Sequence, residues 1–298
     1  MPSVAELLSG EHAVKPEAFG VTVPFRSTSI EDQGNALPMG RLVGSVSRGF
    51  EFKPPTNQVS QALGAIKARP TLKNRPGRVV ATCLAEALAG LGDRSYGGEK
   101  SLAEGERVND VSSLCFEDVA YLVFCRAVER RALRSPIPAA EVVDCPRCHK
   151  PIHELQFDLA GTKFPVWDWT PDRPVRAVVH LSRPLRVGSQ TTSKLVLGPP
   201  AWGRVMNDLA EVDVENESEI DTRLATAAIV AGEDGVEGGF WAGLLPQHLG
   251  DLPDWDMDLV KAASRHVGGD ITPIARVICP SCEGGIGTPL GWRQVPFC

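Results

Sequence analysis

Val142-Val143-Asp144-Cys145-Pro146-Arg147-Cys148 and Val277-Ile278-Cys279-Pro280-Ser281-Cys282 share one pattern: β-branched residues that suit a short strand, then a Cys-Pro-x-Cys turn. Two cysteines two residues apart present two thiolates from one tight turn, half of the set a tetrahedral zinc ion takes. The turns stand far apart, with 130 residues between Cys148 and Cys279, too many for a contiguous zinc ribbon. A chain that contains one unit twice, with equivalent elements face to face, would bring them together. Cys145, Cys148, Cys279 and Cys282 then close one structural zinc site that staples two halves. Two alternatives stay open. Cys145 and Cys148 could form a local site with His149 and His153, although Pro151 between the histidines breaks any helical pairing. The second turn has no following histidine, only the distant Cys298. Alternatively, the four thiols could stay reduced and cap two β-turns.

The residues on either side of the turns support a duplicated unit. Phe50-Glu51-Phe52-Lys53-Pro54-Pro55 alternates like a half-buried strand and stops at two prolines, and Leu195-Val196-Leu197-Gly198-Pro199-Pro200 does the same 145 residues later. Extended candidates precede both, at 41–47 and 175–181. Helices are expected next at 58–68 and 202–212, where Val59, Leu63 and Ile66, and then Val205, Met206 and Leu209, fall on one face. Second helices are expected at 79–91 and 219–231, with Gly92 and Gly232 just past their ends. Third helices are expected from Phe116 to about Leu133 and from Trp255 to Val267. Leu114-Cys115-Phe116-Glu117-Asp118 aligns with Leu252-Pro253-Asp254-Trp255-Asp256 as the lead-in. The expected fold is α+β and helix-rich: two pseudo-symmetric halves, each with a short β-ribbon, three helices and a Cys-x-x-Cys turn, meeting at a zinc-ribbon-like junction. The domain plan is an N-terminal arm over 1–20, a first unit over 21–164, a connector over 165–174 holding Trp167 and Trp169, and a second unit over 175–298.

Composition narrows the function. The 298 residues hold 31 Lys+Arg against 37 Asp+Glu, net −6, and 43% are hydrophobic. A core is affordable, and an acidic chain is a poor coat for phosphate backbones. No apolar run approaches the roughly 18–20 residues of a membrane span. Met1–Gly20 carries Glu6 and Glu11 and lacks the basic start and apolar stretch of a secretory signal. A cytosolic location follows as the expectation, and with it reduced cysteines rather than disulfides.

Other motifs have plainer explanations. Six acids alternate between Glu211 and Asp221, but a calcium loop starting at Asp213 would place Ser218 and Leu224 where Gly and Glu are needed. Gly284-Gly285-Ile286-Gly287 lacks the strand-then-helix setting of a dinucleotide loop and follows a cysteine turn instead. Cys83, Cys115 and Cys125 sit on apolar helix faces and read as core residues, as do Trp202, Trp241, Trp255 and Trp292. Arg126, Arg130, Arg131 and Arg134 form a basic stripe at a helix carboxyl end, where cations are favoured in any case. No nucleophile elbow, phosphate loop or His-Glu-x-x-His is present, and a four-thiolate zinc leaves no position for water, so no enzyme activity and no small-molecule substrate are expected.

Phe50-Glu51-Phe52-Lys53-Pro54-Pro55 with its following helix, the Leu114–Arg126 segment with Asp118, and Cys145-Pro146-Arg147-Cys148 together resemble the T-even-type phage baseplate hub assembly proteins, or hub assembly chaperones, of contractile tails. Leu197-Gly198-Pro199-Pro200, Asp256 and Cys279-Pro280-Ser281-Cys282 look like the same unit again, and the resemblance covers about residues 35–297. It implies a non-enzymatic assembly factor or structural baseplate protein. Its partners would be other baseplate, hub or tail-tube proteins, and it would be made in the cytoplasm of a bacterial host. The rival is a zinc-ribbon nucleic-acid adaptor, which the sparse Lys and Arg around the cysteine turns count against.

Overall fold

The computed structural model describes residues 25–40, 47–73, 75–97, 101–130, 137–167, 175–209, 217–233, 235–237, 239–268 and 274–289. In chain order its elements are β1 (Phe25–Ser29), α1 (Ile30–Gln33), β2 (Phe50–Phe52), α2 (Asn57–Lys67), α3 (Pro76–Ala87), β3 (Leu88–Leu91), β4 (Arg94–Ser95), α4 (Glu104–Ser113), α5 (Phe116–Glu129), β5 (Ile137–Asp144) and β6 (Pro151–Trp167). They continue with β7 (Ala177–Val187), β8 (Gln190–Leu197), α6 (Trp202–Leu209), α7 (Glu217–Ala228), β9 (Ile229–Ala231), α8 (Asp254–His266), β10 (Ile274–Ile278) and β11 (Gly285–Pro289). The fold is α+β with small antiparallel sheets. No helix among the described residues is long and apolar enough to cross a membrane. The chain forms two compact units, neither of them a consecutive stretch. Among the described residues, the larger draws on stretches within 25–167, 201–209 and 274–289, and the smaller on stretches within 175–200 and 217–268.

The larger unit is built round α5, in which every residue from Phe116 to Ala127 is buried. A helix apolar on nearly all sides has to lie inside the protein, and its neighbours supply the walls. Tyr121 and Phe124 meet Phe164 of β6 edge-on, with ring centroids 5.1 and 5.3 Å apart, and Tyr121 meets Phe50 of β2 at 6.1 Å. These rings tie the helical core to the sheet that carries the cysteine turns. That sheet runs β1-β6-β10-β11, with β5 also paired to β6. Helix α6 lies against α3 and α4: the Trp202 indole Nε1 donates to the Gly77 carbonyl at 3.0 Å and the ring stacks on Phe116.

Both units contain the same strand–helix–strand arrangement. In the larger, β3 leaves α3 without a loop and pairs with β2, setting Glu51 opposite Gly90 and Phe52 opposite Leu88, so that Ala89 is a bulge. In the smaller, β9 leaves α7 the same way and pairs with β8, setting Val196 opposite Ala231 and Leu197 opposite Ile229, with Val230 as the bulge. The amide just past each paired strand donates to the last residue of the helix: Lys53 N to Ala87 O and Gly198 N to Ala228 O, each at 2.8 Å. The third residue of α5 and the third residue of α8 are buried aspartates. Asp118 of α5 accepts from the Met39 and Gly40 amides at 2.7 and 3.0 Å. Asp256 of α8 accepts from the Ser182 amide at 3.0 Å and the Ser182 hydroxyl at 2.8 Å.

Several expectations are corrected. The helices expected over 79–91 and 219–231 end at Ala87 and Ala228, and their last residues are the strands β3 and β9. Helix α4 was not expected. Of the expected connector, Pro165, Val166 and Trp167 are the end of β6, and 168–174 lie outside the described residues. Arg126 belongs to no surface stripe: it is 1% exposed, donates to the Lys53 carbonyl and Glu129, and lies over the Phe52 ring. Trp202 and Trp241 are buried as expected, whereas Trp255 is 59% exposed on the first turn of α8, with its Nε1 donating to the Ser182 hydroxyl. Cys83, Cys115 and Cys125 are buried. The N-terminal arm, Trp292, Cys298, most of 41–47 and most of the acidic run lie outside the described residues.

Candidate metal centre

Strand β6 determines how the turns meet. Its start pairs antiparallel with β5, Val143 opposite Ile152 and Asp144 opposite Pro151, which makes Cys145–Lys150 the turn of a hairpin. Strand β10 also runs antiparallel to β6, with Val277 opposite Phe157 and Ile278 opposite Gln156, so its C-terminal end points toward the start of β6. The β10–β11 hairpin, Ile278 opposite Gly285, therefore turns at the same end of the sheet. Two turns remote in sequence are brought together by one strand pairing inside the larger unit.

Each turn is closed by the same two backbone bonds. Cys145 N donates to Lys150 O at 2.9 Å and His149 N to Cys145 O at 2.8 Å; Cys279 N donates to Gly284 O at 3.0 Å and Glu283 N to Cys279 O at 2.9 Å. The residue after the second cysteine takes positive φ in both cases, 56° at His149 and 54° at Glu283, a conformation in which histidine is among the better-tolerated side chains. The turn geometry thus accounts for His149, which is exposed and stands outside the thiol cluster. His153 is an exposed residue of β6.

The four sulfur atoms of Cys145, Cys148, Cys279 and Cys282 all lie within 4.8 Å of one another, and among the described residues this is the one cluster of potential metal ligands. Pairs from opposite turns, Cys145 with Cys282 and Cys148 with Cys279, are 3.8 Å apart. Four sulfurs about 2.3 Å from a central ion at tetrahedral angles lie about 3.8 Å from each other. A disulfide would need about 2.05 Å. The spacing suits a tetrathiolate site that encloses one ion, so the four residues could hold a metal.

Burial and backbone dipoles bias the set. Cys145 and Cys279 are buried with Ile152, Cys148 is half-buried, and Cys282 is exposed. The Cys148 and Arg147 backbone amides, pointing at its sulfur, pull the Cys145 thiol down to about 6. The Ser281 amide points at the Cys279 sulfur from 3.4 Å. Cys282 is pushed up to about 11: the Gly284 amide pulls it down, and partial desolvation of the sulfur together with the Cys279, Cys148 and Cys145 sulfurs outweighs it. Four thiols this close resist carrying four negative charges unless a cation sits among them. Sequence reasoning missed Arg147, whose side chain crosses to the other turn and lies where a Cβ on Gly284 would be, 2.7 Å from its Cδ. Only the unlike composition of the turns, Arg147 in one and Gly284 in the other, hinted at that contact.

No family model, no curated protein and no solved structure matches this chain.

Proposed function

We propose that the four cysteines hold one structural zinc ion. We further propose that the chain is a non-enzymatic assembly factor or structural component of a contractile-tail baseplate, built from two copies of one ancestral unit. The observation that carries the metal reading is the spacing of 3.8 Å between sulfurs of opposite turns. Zinc is favoured over other ions by four thiolates in a closed tetrahedral set with no open position. When bound, the ion would cross-link two hairpins and neutralise their charge, with Arg147 packed over the junction.

The duplication reading draws on the matching bulges at Ala89 and Val230 and on the paired aspartates Asp118 and Asp256. The baseplate reading draws on the same residues through the sequence resemblance, with other baseplate, hub or tail-tube proteins as partners and the bacterial cytoplasm as the site of assembly. The nucleic-acid adaptor alternative is weakened by the burial of Arg126, which takes that cation out of the basic stripe expected at the end of α5.

Metal content of protein purified without added zinc, alongside Cys145→Ser, Cys148→Ser, Cys279→Ser and Cys282→Ser, tests the centre. One zinc per chain, lost alike from changes in either turn, is expected; two zincs lost independently, or none, would overturn it. For the baseplate reading, the gene is deleted from a genome that encodes it together with a contractile particle. Loss of assembled baseplates is expected, and normal particles from the deletion strain would sink the reading.

A further inference from the structure

A cavity of about 440 Å³ in the larger unit lies between the start of α3 and α4, away from the cysteines, and its wall includes Arg69, Arg75, Arg78, Thr71, Glu104 and Asn109. Three guanidinium groups on one cavity are notable in a chain of net charge −6. Among the described residues, only one of them has a carboxylate partner: Arg69 pairs with Glu104 on the cavity wall, and this bond holds the Glu104 carboxyl below its usual range. Arg75 and Arg78 are exposed and have no carboxylate partner among the described residues. With three cations against one anion, the wall carries an excess of two positive charges. A smaller cavity of about 220 Å³ adjoins it, sharing Arg78 and Asn109, and extends toward Trp202.

We propose that this cavity binds a small ligand bearing a doubly charged oxyanion group, as a phosphate does, with Arg75 and Arg78 as its principal contacts. A guanidinium presents two parallel N–H donors that match two oxygens of phosphate or carboxylate, and two such groups on one concave wall suit an anion of charge −2. The Thr71 hydroxyl and the Asn109 amide on the same wall can bond the remaining oxygens. The first turn of α3 adds a minor contribution, since no side chain caps it and its amides favour negative charge. The volume is in the range of small-molecule sites, larger than bare phosphate needs, so an anion attached to a small organic group fits better than the free ion. Glu104 opposes the ligand by occupying Arg69.

Titration calorimetry of the full chain with pyrophosphate, at constant ionic strength, tests this site. Saturable one-to-one binding is expected, weakened at least about tenfold in the Arg75→Gln/Arg78→Gln double variant, since both charge-assisted contacts are lost. Both side chains are exposed, so the variant should fold, and its circular dichroism spectrum and melting temperature verify that. Glu104→Gln acts in the opposite direction, tightening pyrophosphate by several-fold as Arg69 is freed. That measurement stands even if the double variant fails. Citrate as a parallel titrant separates the chemistries: tighter pyrophosphate upholds the doubly charged group, and tighter citrate would overturn it in favour of carboxylates. No saturable heat up to about 10 mM of either anion, or unchanged binding by the double variant, would overturn it.

Discussion

Asp118 and Asp256 show how much one side chain can fix. Each is the third residue of its helix, a position where negative charge meets the positive helix end, and each turns its carboxylate to a segment distant in sequence. Asp118 satisfies two buried amides, so Asp118→Ala strands both donors and should cost about 3 kcal/mol of stability, read as a lower urea midpoint with unchanged slope. Asp118→Asn should cost nearly as much, because its NH₂ would face an amide that itself needs an acceptor; an Asn variant as stable as wild type would refute the assignment. Asp256→Ala should cost less, about 2 kcal/mol, since the Ser182 hydroxyl can turn to another partner. The sequence paired these two aspartates through their lead-in segments, but it could not say what they bind. Their donors, Met39–Gly40 and Ser182, lie more than 70 residues away. Trp255 also reads as core in the sequence, like the other tryptophans, yet its place on the first turn of α8 leaves most of the ring outside.

At the level of elements, what local pattern could not settle was where helix gives way to strand. Leu88-Ala89-Gly90-Leu91 and Ile229-Val230-Ala231 continue the apolar character of α3 and α7, and nothing in them says stop. They become strands because Phe50–Phe52 and Val196–Leu197 offer unpaired edges, a tertiary choice that overrides propensity. Helix α4 escaped notice for the opposite reason: Val108 and Val111 are its only buried residues, too few for a visible period, and Gly105 and Asn109 are weak helix formers. Its partner surface is tight where α3 meets α6. A Cβ on Gly77 would lie 2.0 Å from the Met206 Cβ, an atom fixed to the backbone, so no rotamer change relieves the overlap. Gly77→Ala would gain up to about 1 kcal/mol in helix propensity, yet it must push the two helices apart and stretch the bond from Trp202 to the Gly77 carbonyl. The expected net result is a loss of about 2 kcal/mol, measured by thermal unfolding. Met206→Ala should not rescue it, because the offending Cβ remains; a neutral or stabilising Gly77→Ala would show that α3 and α6 are looser than described.

Across the whole molecule, the legible part was the pair of cysteine turns, because their chemistry is local, and the illegible part was the chain's interleaving. Sequence order suggests consecutive units, but α6, which follows directly from β8 of the smaller unit, belongs to the larger one, as does the β10–β11 hairpin near the other end of the chain. What unites the cysteines is the pairing of β10 with β6, and no short-range signal announces a contact between residues about 120 positions apart. If the four cysteines hold a metal, this arrangement makes its loss a local event with a boundary. If zinc is held about a thousandfold above its dissociation constant, binding supports the larger unit by about 4 kcal/mol, so removal with a strong chelator should lower its melting temperature by about 10 °C. Hydrogen exchange should then rise in β5, β6, β10 and β11, whose turns are freed, while the β7–β8 amides of the smaller unit keep their protection. The mechanism also sets the pH direction: protons compete with metal for thiolates, so the chelator effect should be reproduced by acidification and suppressed at higher pH. Protection lost equally from β7–β8 would mean that the two units unfold as one, and the metal would then support the whole chain and not one unit of it.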